Sequence, residues 1–377
     1  MMSPRFERDR RLIGTPASRW AIDTPALVLD LDAFERNLDR MAAHCRAKEI
    51  GLRPHSKSHK CAEIARRQIA SGALGQCCGK LGEAEALAEA GIDSFLLTSP
   101  VVTASGIARL MKLAARVRLA VAADSLANVG DLAAAALEAC LVLDVVIDLD
   151  VGLHRTGACV DSCVEIARAV DSQAALNLLG LQAYAGHLMH VEGRDERRSR
   201  SLAAMEILRS AAARLSEAGL TARILTGAGT GTYDIDPEAN VLTEIQAGSY
   251  VFMDRQYNDV WKESAPPFET ALFVQSTVIS ANTPGLATID AGYKSFATDA
   301  GVPDVVSGAP EGTSYFFFGD EHGGLALPEG RRLDAGTVVV CNVPHCDPTV
   351  NLYDAYHVVR GDVLVDLWRI DARGRSD

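Results

Sequence analysis

Hydrophobic and polar positions change rhythm twice along the chain. Between about residues 45 and 255, short apolar or β-branched runs alternate with alanine-rich stretches of helical period. The runs Gly51–Ser56, Leu74–Cys78, Ser94–Thr98, Val117–Ala122, Leu141–Asp148, Leu178–Tyr184, Arg223–Thr226 and Thr243–Val251 read as strands. Cys61–Ala70, Leu81–Ala90, Ala104–Ala115, Leu126–Leu137, Cys163–Val170 and Ser199–Ala218 read as helices between them. The last is amphipathic, with Leu202, Met205, Leu208 and Ala212 on one stripe. Eight strand–helix units predict a parallel sheet. At that number, closure into a (β/α)8 TIM-like barrel is favoured over an open doubly wound sheet.

Beyond about residue 265 the helical period disappears. Ala271–Ile279, Leu286–Asp290, Ser314–Phe318, Thr337–Asn342 and Val363–Trp368 are short strand-like runs separated by Pro, Gly and Asp. They predict a small antiparallel β domain. Thr24–Leu31, ahead of the barrel, is also strand-like and is expected to join that domain. The expected α/β architecture is thus an N-terminal segment 1–31, a barrel 32–262 and a C-terminal β domain 263–377.

Composition then removes several classes of function. Hydrophobic residues make up 48% and charged residues 23%, an ordinary globular balance that excludes global disorder. A net charge of −12 with no Lys/Arg-rich block argues against a nucleic-acid partner. No apolar run reaches the ~20 residues of a membrane span. Leu141–Ile147 is interrupted by Asp144, and Met1–Arg11 is charged where a secretory signal would be apolar. The 9 cysteines include no CxxC pair and read as reduced thiols. A cytoplasmic protein acting on a small molecule is expected, with neither nucleic acid nor membrane as partner.

The candidate chemistry lies at strand ends, where barrels build their active sites. Arg53-Pro54-His55-Ser56-Lys57-Ser58-His59-Lys60 closes the first strand. An extended backbone would put Arg53, His55, Lys57 and His59 on one face. A lysine among cationic neighbours has a depressed pKa, which suits imine chemistry with an aldehyde cofactor. Asp148–Gly157 closes the fifth strand and supplies Arg155, a candidate partner for a cofactor ring nitrogen. Tyr184–His190 closes the sixth, with His187 or His190 as candidate general base.

Thr226-Gly227-Ala228-Gly229-Thr230-Gly231-Thr232 follows the seventh strand and could cradle a phosphate with backbone N–H groups and hydroxyls. Gln246-Ala247-Gly248-Ser249-Tyr250, in the eighth, could close its other side. In the β domain, His345 and Asp347 are two apart, so an extended backbone would aim both one way and Cys346 the other. That pair is half a metal site. Asp320-Glu321-His322-Gly323 is a second acidic–histidine loop, able to hold a metal-bound water.

Together these segments, with Asp23-Thr24-Pro25-Ala26 and Gln182-Ala183-Tyr184, resemble the D-threonine aldolase/D-serine dehydratase-like family of pyridoxal-phosphate enzymes with the alanine-racemase type of fold. The combination of PHxKxHK with the later His-x-Asp pair is its most specific part. The resemblance implies that Lys57, the first lysine of that segment, holds the pyridoxal 5′-phosphate covalently. Cofactor contacts would come from His55, Arg155, Tyr184, Gly227, Gly229, Thr230, Gly231, Gly248 and Ser249, and His190 matches the base of aldolase relatives. Metal would be held by His345 and Asp347.

Dehydratase members tend to carry Cys at the second metal position and use zinc. Asp347 is a harder oxygen ligand that suits Mn2+ or Mg2+ and points to the aldolase branch. The expected reaction is retro-aldol cleavage of a D-threonine-type 3-hydroxy amino acid by a homodimer. The alternatives are a 3-hydroxy-D-aspartate aldolase and a D-serine or 3-hydroxyaspartate dehydratase. A pyridoxal-phosphate carrier would lack the β domain and metal pair, and a racemase would use a tyrosine base without metal.

Overall fold

Parallel strands covered by helices on both faces read as runs rich in Val, Ile, Leu and Ala. In the computed structural model, which describes residues 4–262 and 264–377, this is what the middle of the chain becomes. Met1–Ser3, part of the charged N-terminal stretch, and Glu263, the residue that opens the expected β domain, lie outside the described residues. A first strand, β1 (Ala26–Asp30), precedes eight parallel ones. These are β2 (Gly51–Leu52), β3 (Gln76–Cys78), β4 (Ser94–Leu97), β5 (Arg118–Ala123), β6 (Leu143–Leu149), β7 (Leu176–Ala183), β8 (Ile224–Gly227) and β9 (Glu244–Ile245).

The parallel strands pair in the order β2-β9-β8-β7-β6-β5-β4-β3. Leu74 N donates to Leu52 O at 2.8 Å and Cys77 N to Pro54 O at 2.9 Å, and His55 bridges Cys77 in parallel, so the two ends of the sheet also meet. Each expected strand is present, β2, β3, β4 and β9 within shorter limits and β5, β6, β7 and β8 with shifted ones. Pro54 cannot donate to a ladder, so β2 stops at Leu52 and the chain turns through one 3-10 turn, Ser56–Ser58.

The helices begin with α1 (Pro4–Asp9) and α2 (Leu31–Ala47). The barrel helices are α3 (Ala62–Ala70), α4 (Leu81–Glu89), α5 (Ala104–Ala114), α6 (Leu126–Glu138), α7 (Val160–Asp171) and α8 (Arg194–Glu217). Thr103 and Ser125 cap α5 and α6 by accepting from Gly106 N and Asn128 N. The buried face of α8 runs through Arg197, Ser201, Ala204, Met205, Leu208, Ala211 and Leu215. It keeps Met205 and Leu208 of the expected stripe and leaves Leu202 and Ala212 at its margin.

Helix α2 was not expected. Phe34, Leu38, Met41 and Cys45 form its buried stripe, but the charged residues between them obscure the period in the sequence.

The chain divides into two compact units. The barrel unit comprises Met41–Lys57, Ile64–Gly248 and Gly374–Asp377, and the β unit Met1–Arg40, Ser58–Glu63 and Ser249–Arg373. The start of α2, Ser58–Glu63 and residues 249–262 thus lie in the β unit, and Gly374–Asp377 in the barrel unit. Asn37 Nδ2 donates to Val251 O at 3.3 Å and to Glu269 O at 2.7 Å, and Arg36 and Arg40 both bind the Glu269 carboxylate, which ties these segments together.

The β unit holds β10 (Leu272–Thr283), β11 (Leu286–Ile289), β12 (Asp304–Ser307), β13 (Ser314–Phe317), β14 (Gly323–Ala326), β15 (Val338–Asn342), β16 (Ala355–Arg360) and β17 (Val363–Arg369). They pair in the order β13-β14-β11-β10-β1-β16-β17, with β15 joined to β10 and β12. As expected, β1 enters this sheet, antiparallel to β10. The sequence reading missed β12, β14 and β16. In β14 the Gly323-Gly324 pair looks like a turn, yet a Cβ at either position would collide with the ring of Tyr315 or Phe316 across the sheet.

Candidate active site

Lys57 is exposed in the 3-10 turn just beyond β2. With the strand ending at Leu52, the shared face expected for Arg53, His55, Lys57 and His59 does not form. Arg53 turns toward the opposite end of the barrel, where Glu244 clasps its guanidinium at 2.9 and 3.1 Å. It lines a cavity of about 490 Å³ among residues at the starts of strands, including Ser94, Arg118 and Thr243. His59 is fully buried in the β unit, its Nδ1 accepting from Cys61 N. His55 stands beside Lys57: its Nδ1 accepts from Lys57 N at 3.4 Å and its Nε2 meets Thr98 Oγ1 at 3.1 Å.

From Thr98 a hydrogen-bonded layer crosses the C-terminal ends of the strands. Gln182 Nε2 donates to Thr98 O at 3.0 Å and to Asp148 Oδ1 at 2.8 Å. Gln246 Nε2 donates to Gln182 Oε1 at 3.1 Å and Thr226 Oγ1 at 3.0 Å, while Thr156 Oγ1 donates to Asp148 Oδ2 at 2.7 Å. Burial pushes the Asp148 carboxyl above its ordinary pKa against the bonds from Gln182 and Thr156. No role was read for Thr98, Asp148 or Gln182 from sequence, and Gln246 was read only as part of the segment closing the phosphate site; the available signal was a polar residue inside or ending an apolar run.

The loop after β6 carries Arg155. Asp150 Oδ1 accepts from Gly152 N at 2.9 Å and His154 N at 3.0 Å. Burial opposes the Asp150 charge, but the bonds from His154 and Gly152 prevail and its pKa lies below the usual carboxylate value. Arg155 is exposed, and its guanidinium carbon stands 5.9 Å from the centre of the Tyr184 ring.

His187 and His190 follow β7 and are half-buried. Burial, and then the charge of Arg200, lower the His187 pKa, so its imidazole is neutral at neutral pH and able to accept a proton. Beyond His190, the buried Arg197 donates through Nη1 to the carbonyls of Val191 and Glu192, fixing the exit of that segment.

After β8 the chain enters the glycine-rich loop with Ala228 in the left-handed region at φ 58°. A Cβ on Gly227 would strike Ala183 O, on Gly229 Met189 Sδ, and on Gly231 Met189 O. The glycines are therefore required by close packing against β7 and the segment after it. The residue that speaks for a ligand is Thr230, whose hydroxyl is buried without a partner. Strand β9 stops at Ile245, so Gly248 and Ser249 lie beyond it rather than within a strand. Ser249 belongs to the β unit, where its side chain bonds to the Cys346 thiol.

Behind the loop, Asp236 accepts from Ser201 Oγ and from Thr232 Oγ1, the latter at 2.7 Å. Burial drives its pKa up from 3.8 to about 7 despite those bonds. The folded protein thus retains a proton that the unfolded chain releases near pH 4. The stability linked to this group is full below that pH, declines as pH rises and is lost above about 7. Asp236→Asn removes the titration, so wild type should lose up to about 4 kcal/mol relative to the variant between the two pKa values. Urea midpoints across that range measure it; a constant difference would contradict a titrating buried carboxyl.

In the β unit, His345 is the N-cap of α10 (Cys346–Val350), which follows α9 (Arg255–Val260). The backbone is therefore helical after His345, not extended through Asp347. Asp254 fixes both helix starts, accepting from Tyr257 N at 2.9 Å and Cys346 N at 2.8 Å. His345 Nδ1 lies 2.7 Å from Asp299 Oδ2, which leaves Nε2 as the ring atom for a ligand bond. Cys346 is fully buried and its thiol pKa is raised well above normal by burial, so it stays protonated. In the acidic–histidine loop, Glu321 pairs instead with Lys294. Among the described residues no group of three or more His, Cys, Asp or Glu is arranged to hold a metal. A cation on His345 and Asp347 would draw its remaining ligands from water and substrate, as hard divalent ions do.

Known proteins resemble this chain in sequence and fold. Residues 29–256 match the model for the alanine racemase N-terminal domain and residues 271–359 that for a serine dehydratase domain. A D-threonine aldolase from Arthrobacter is 40% identical over 96% of this chain and 95% of its own length. The chain belongs to the D-threonine aldolase/D-serine dehydratase-like family. It is a carbon–carbon lyase with an alanine-racemase-like fold. The family match extends to a 3-hydroxy-D-aspartate aldolase from Paracoccus denitrificans, 34% identical over 94% of this chain and 93% of the relative. It extends also to the crystal structure of a D-threonine aldolase from Filomicrobium marinum, 38% identical, with a TM-score of 0.91 over 95% of this chain and 98% of that one. Among the described residues no helix is long and apolar enough to cross a membrane.

Proposed function

We propose that this lyase cleaves D-3-hydroxy amino acids of the D-threonine type to glycine and an aldehyde, using pyridoxal 5′-phosphate and Mn2+ or Mg2+. The observation that carries the cofactor reading is the buried, unpartnered Thr230 hydroxyl in a tight loop at a barrel strand end, a fitting partner for a phosphate oxygen. Lys57, at another strand end of the same unit, offers the amine that would hold the cofactor's aldehyde. When bound, that cofactor supplies the electron sink for the pair released at Cα, and the cation supplies a Lewis acid for the substrate hydroxyl.

The chain's own residues do the rest. His55, oriented by Thr98, lies beside Lys57 as a contact for the cofactor. Arg155, presented by the Asp150-braced loop near Tyr184, would act at the ring nitrogen. Gly248 and Ser249 would complete the phosphate contacts. His190 is the base for the 3-hydroxyl proton, with His187 three residues earlier able to serve because burial keeps it neutral. His345, oriented by Asp299, and Asp347 would hold the cation.

The aldolase relatives at 40% and 34% identity support cleavage of the Cα–Cβ bond, and the oxygen ligand at position 347 agrees with them. The Paracoccus relative keeps 3-hydroxy-D-aspartate as a second substrate reading. Products formed from D-threonine test the proposal against β-elimination: glycine with acetaldehyde, or ammonia with 2-oxobutanoate.

A further inference from the structure

The glycine-rich loop is built as a clamp. Thr232 N donates to Gly229 O at 3.1 Å, closing a turn whose two central residues are Thr230 and Gly231. Gly229 N donates in return to Thr232 Oγ1 at 3.4 Å. Thr232 Oγ1 donates in turn to Asp236 Oδ2 at 2.7 Å, while Asp236 N donates to Thr232 O at 2.9 Å. The other carboxylate oxygen accepts from Ser201 on the buried face of α8. Thr232, Asp236 and Ser201 are each fully buried.

One carboxylate thus sets the rotamer of Thr232, and that hydroxyl sets the turn that presents Thr230 and Gly231. We propose that Asp236 is a positioning residue for the anion-binding loop: it holds Thr232 so that the turn grips the phosphate of the cofactor. The inference rests on the pyridoxal-phosphate reading above. Asp236 touches no reacting atom. Its effect is on recognition of the phosphate and not on the amine chemistry at Lys57.

The test compares cofactor binding to apo-protein, read from the absorption change on addition of pyridoxal 5′-phosphate or of pyridoxal, which has the same aldehyde and no phosphate. The titration runs at a pH above about 7, where Asp236 is ionised. Wild type should prefer the phosphorylated form. Asp236→Asn should weaken pyridoxal phosphate about tenfold, as expected for a bond to a charged group, and leave pyridoxal within about twofold. Thr232→Val, which keeps the side-chain shape, should show the same selective loss and covers a poorly folded Asp236 variant. Retained preference in both variants overturns the inference, and so does an equal loss for the two ligands. A wild type without preference for the phosphate overturns the cofactor reading beneath it.

Discussion

Lys57→Ala will lose at least about 10³-fold in kcat/KM on D-threonine, because the amine that holds the cofactor aldehyde is gone. Stability should change little. Lys57 is exposed in a 3-10 turn and fills no core position, and surface substitutions of that kind stay within about 0.5 kcal/mol. The variant should also lack the visible absorption band of a covalently held cofactor, while the loop at Thr230 still binds the phosphate. Steady-state kinetics, absorption and thermal unfolding separate these effects. Full activity together with an unchanged absorption band would contradict the assignment of Lys57.

Removing the cation should have the second largest effect. A Lewis acid at the substrate hydroxyl contributes several kcal/mol to the barrier, so EDTA or His345→Ala should lower kcat by about 10²–10³-fold. Mn2+ should restore the EDTA-treated wild type and not the variant. Asp347→Cys exchanges a hard oxygen for a soft thiolate and should shift the metal preference from Mn2+ toward Zn2+. Asp299 orients the His345 ring at 2.7 Å, so Asp299→Asn should weaken Mn2+ binding about tenfold with a smaller effect at saturating metal. Activity indifferent to EDTA and to His345→Ala would remove the metal from the account.

The contrast between Lys57 and Asp236 explains how much of this was legible in the sequence. Barrel strands are buried on both faces, so they appear as continuous apolar runs, and the turns that follow them are local; Lys57, His190 and Thr230 could be placed at strand ends on that basis. The hydrogen-bonded layer could not. Gln182 and Thr98 are 84 residues apart, and Asp236 and Ser201 are 35 apart. Nothing in the local pattern of either member names its partner.

Local backbone chemistry also misled the reading in two places. Pro54 ended β2 early and separated Arg53 from Lys57, and a helix start at Cys346 replaced the extended segment expected around His345. In the β unit, β14 was hidden by glycines whose role is to admit aromatic rings across the sheet.

The most direct measurement of the central claim is product analysis after D-threonine is added to purified protein with pyridoxal 5′-phosphate and Mn2+, alongside EDTA-treated and Lys57→Ala controls. Cleavage between Cα and Cβ predicts glycine and acetaldehyde in equal amounts, lost in both controls. Ammonia and 2-oxobutanoate, with no glycine, would contradict the aldolase and make the protein a dehydratase on the same scaffold.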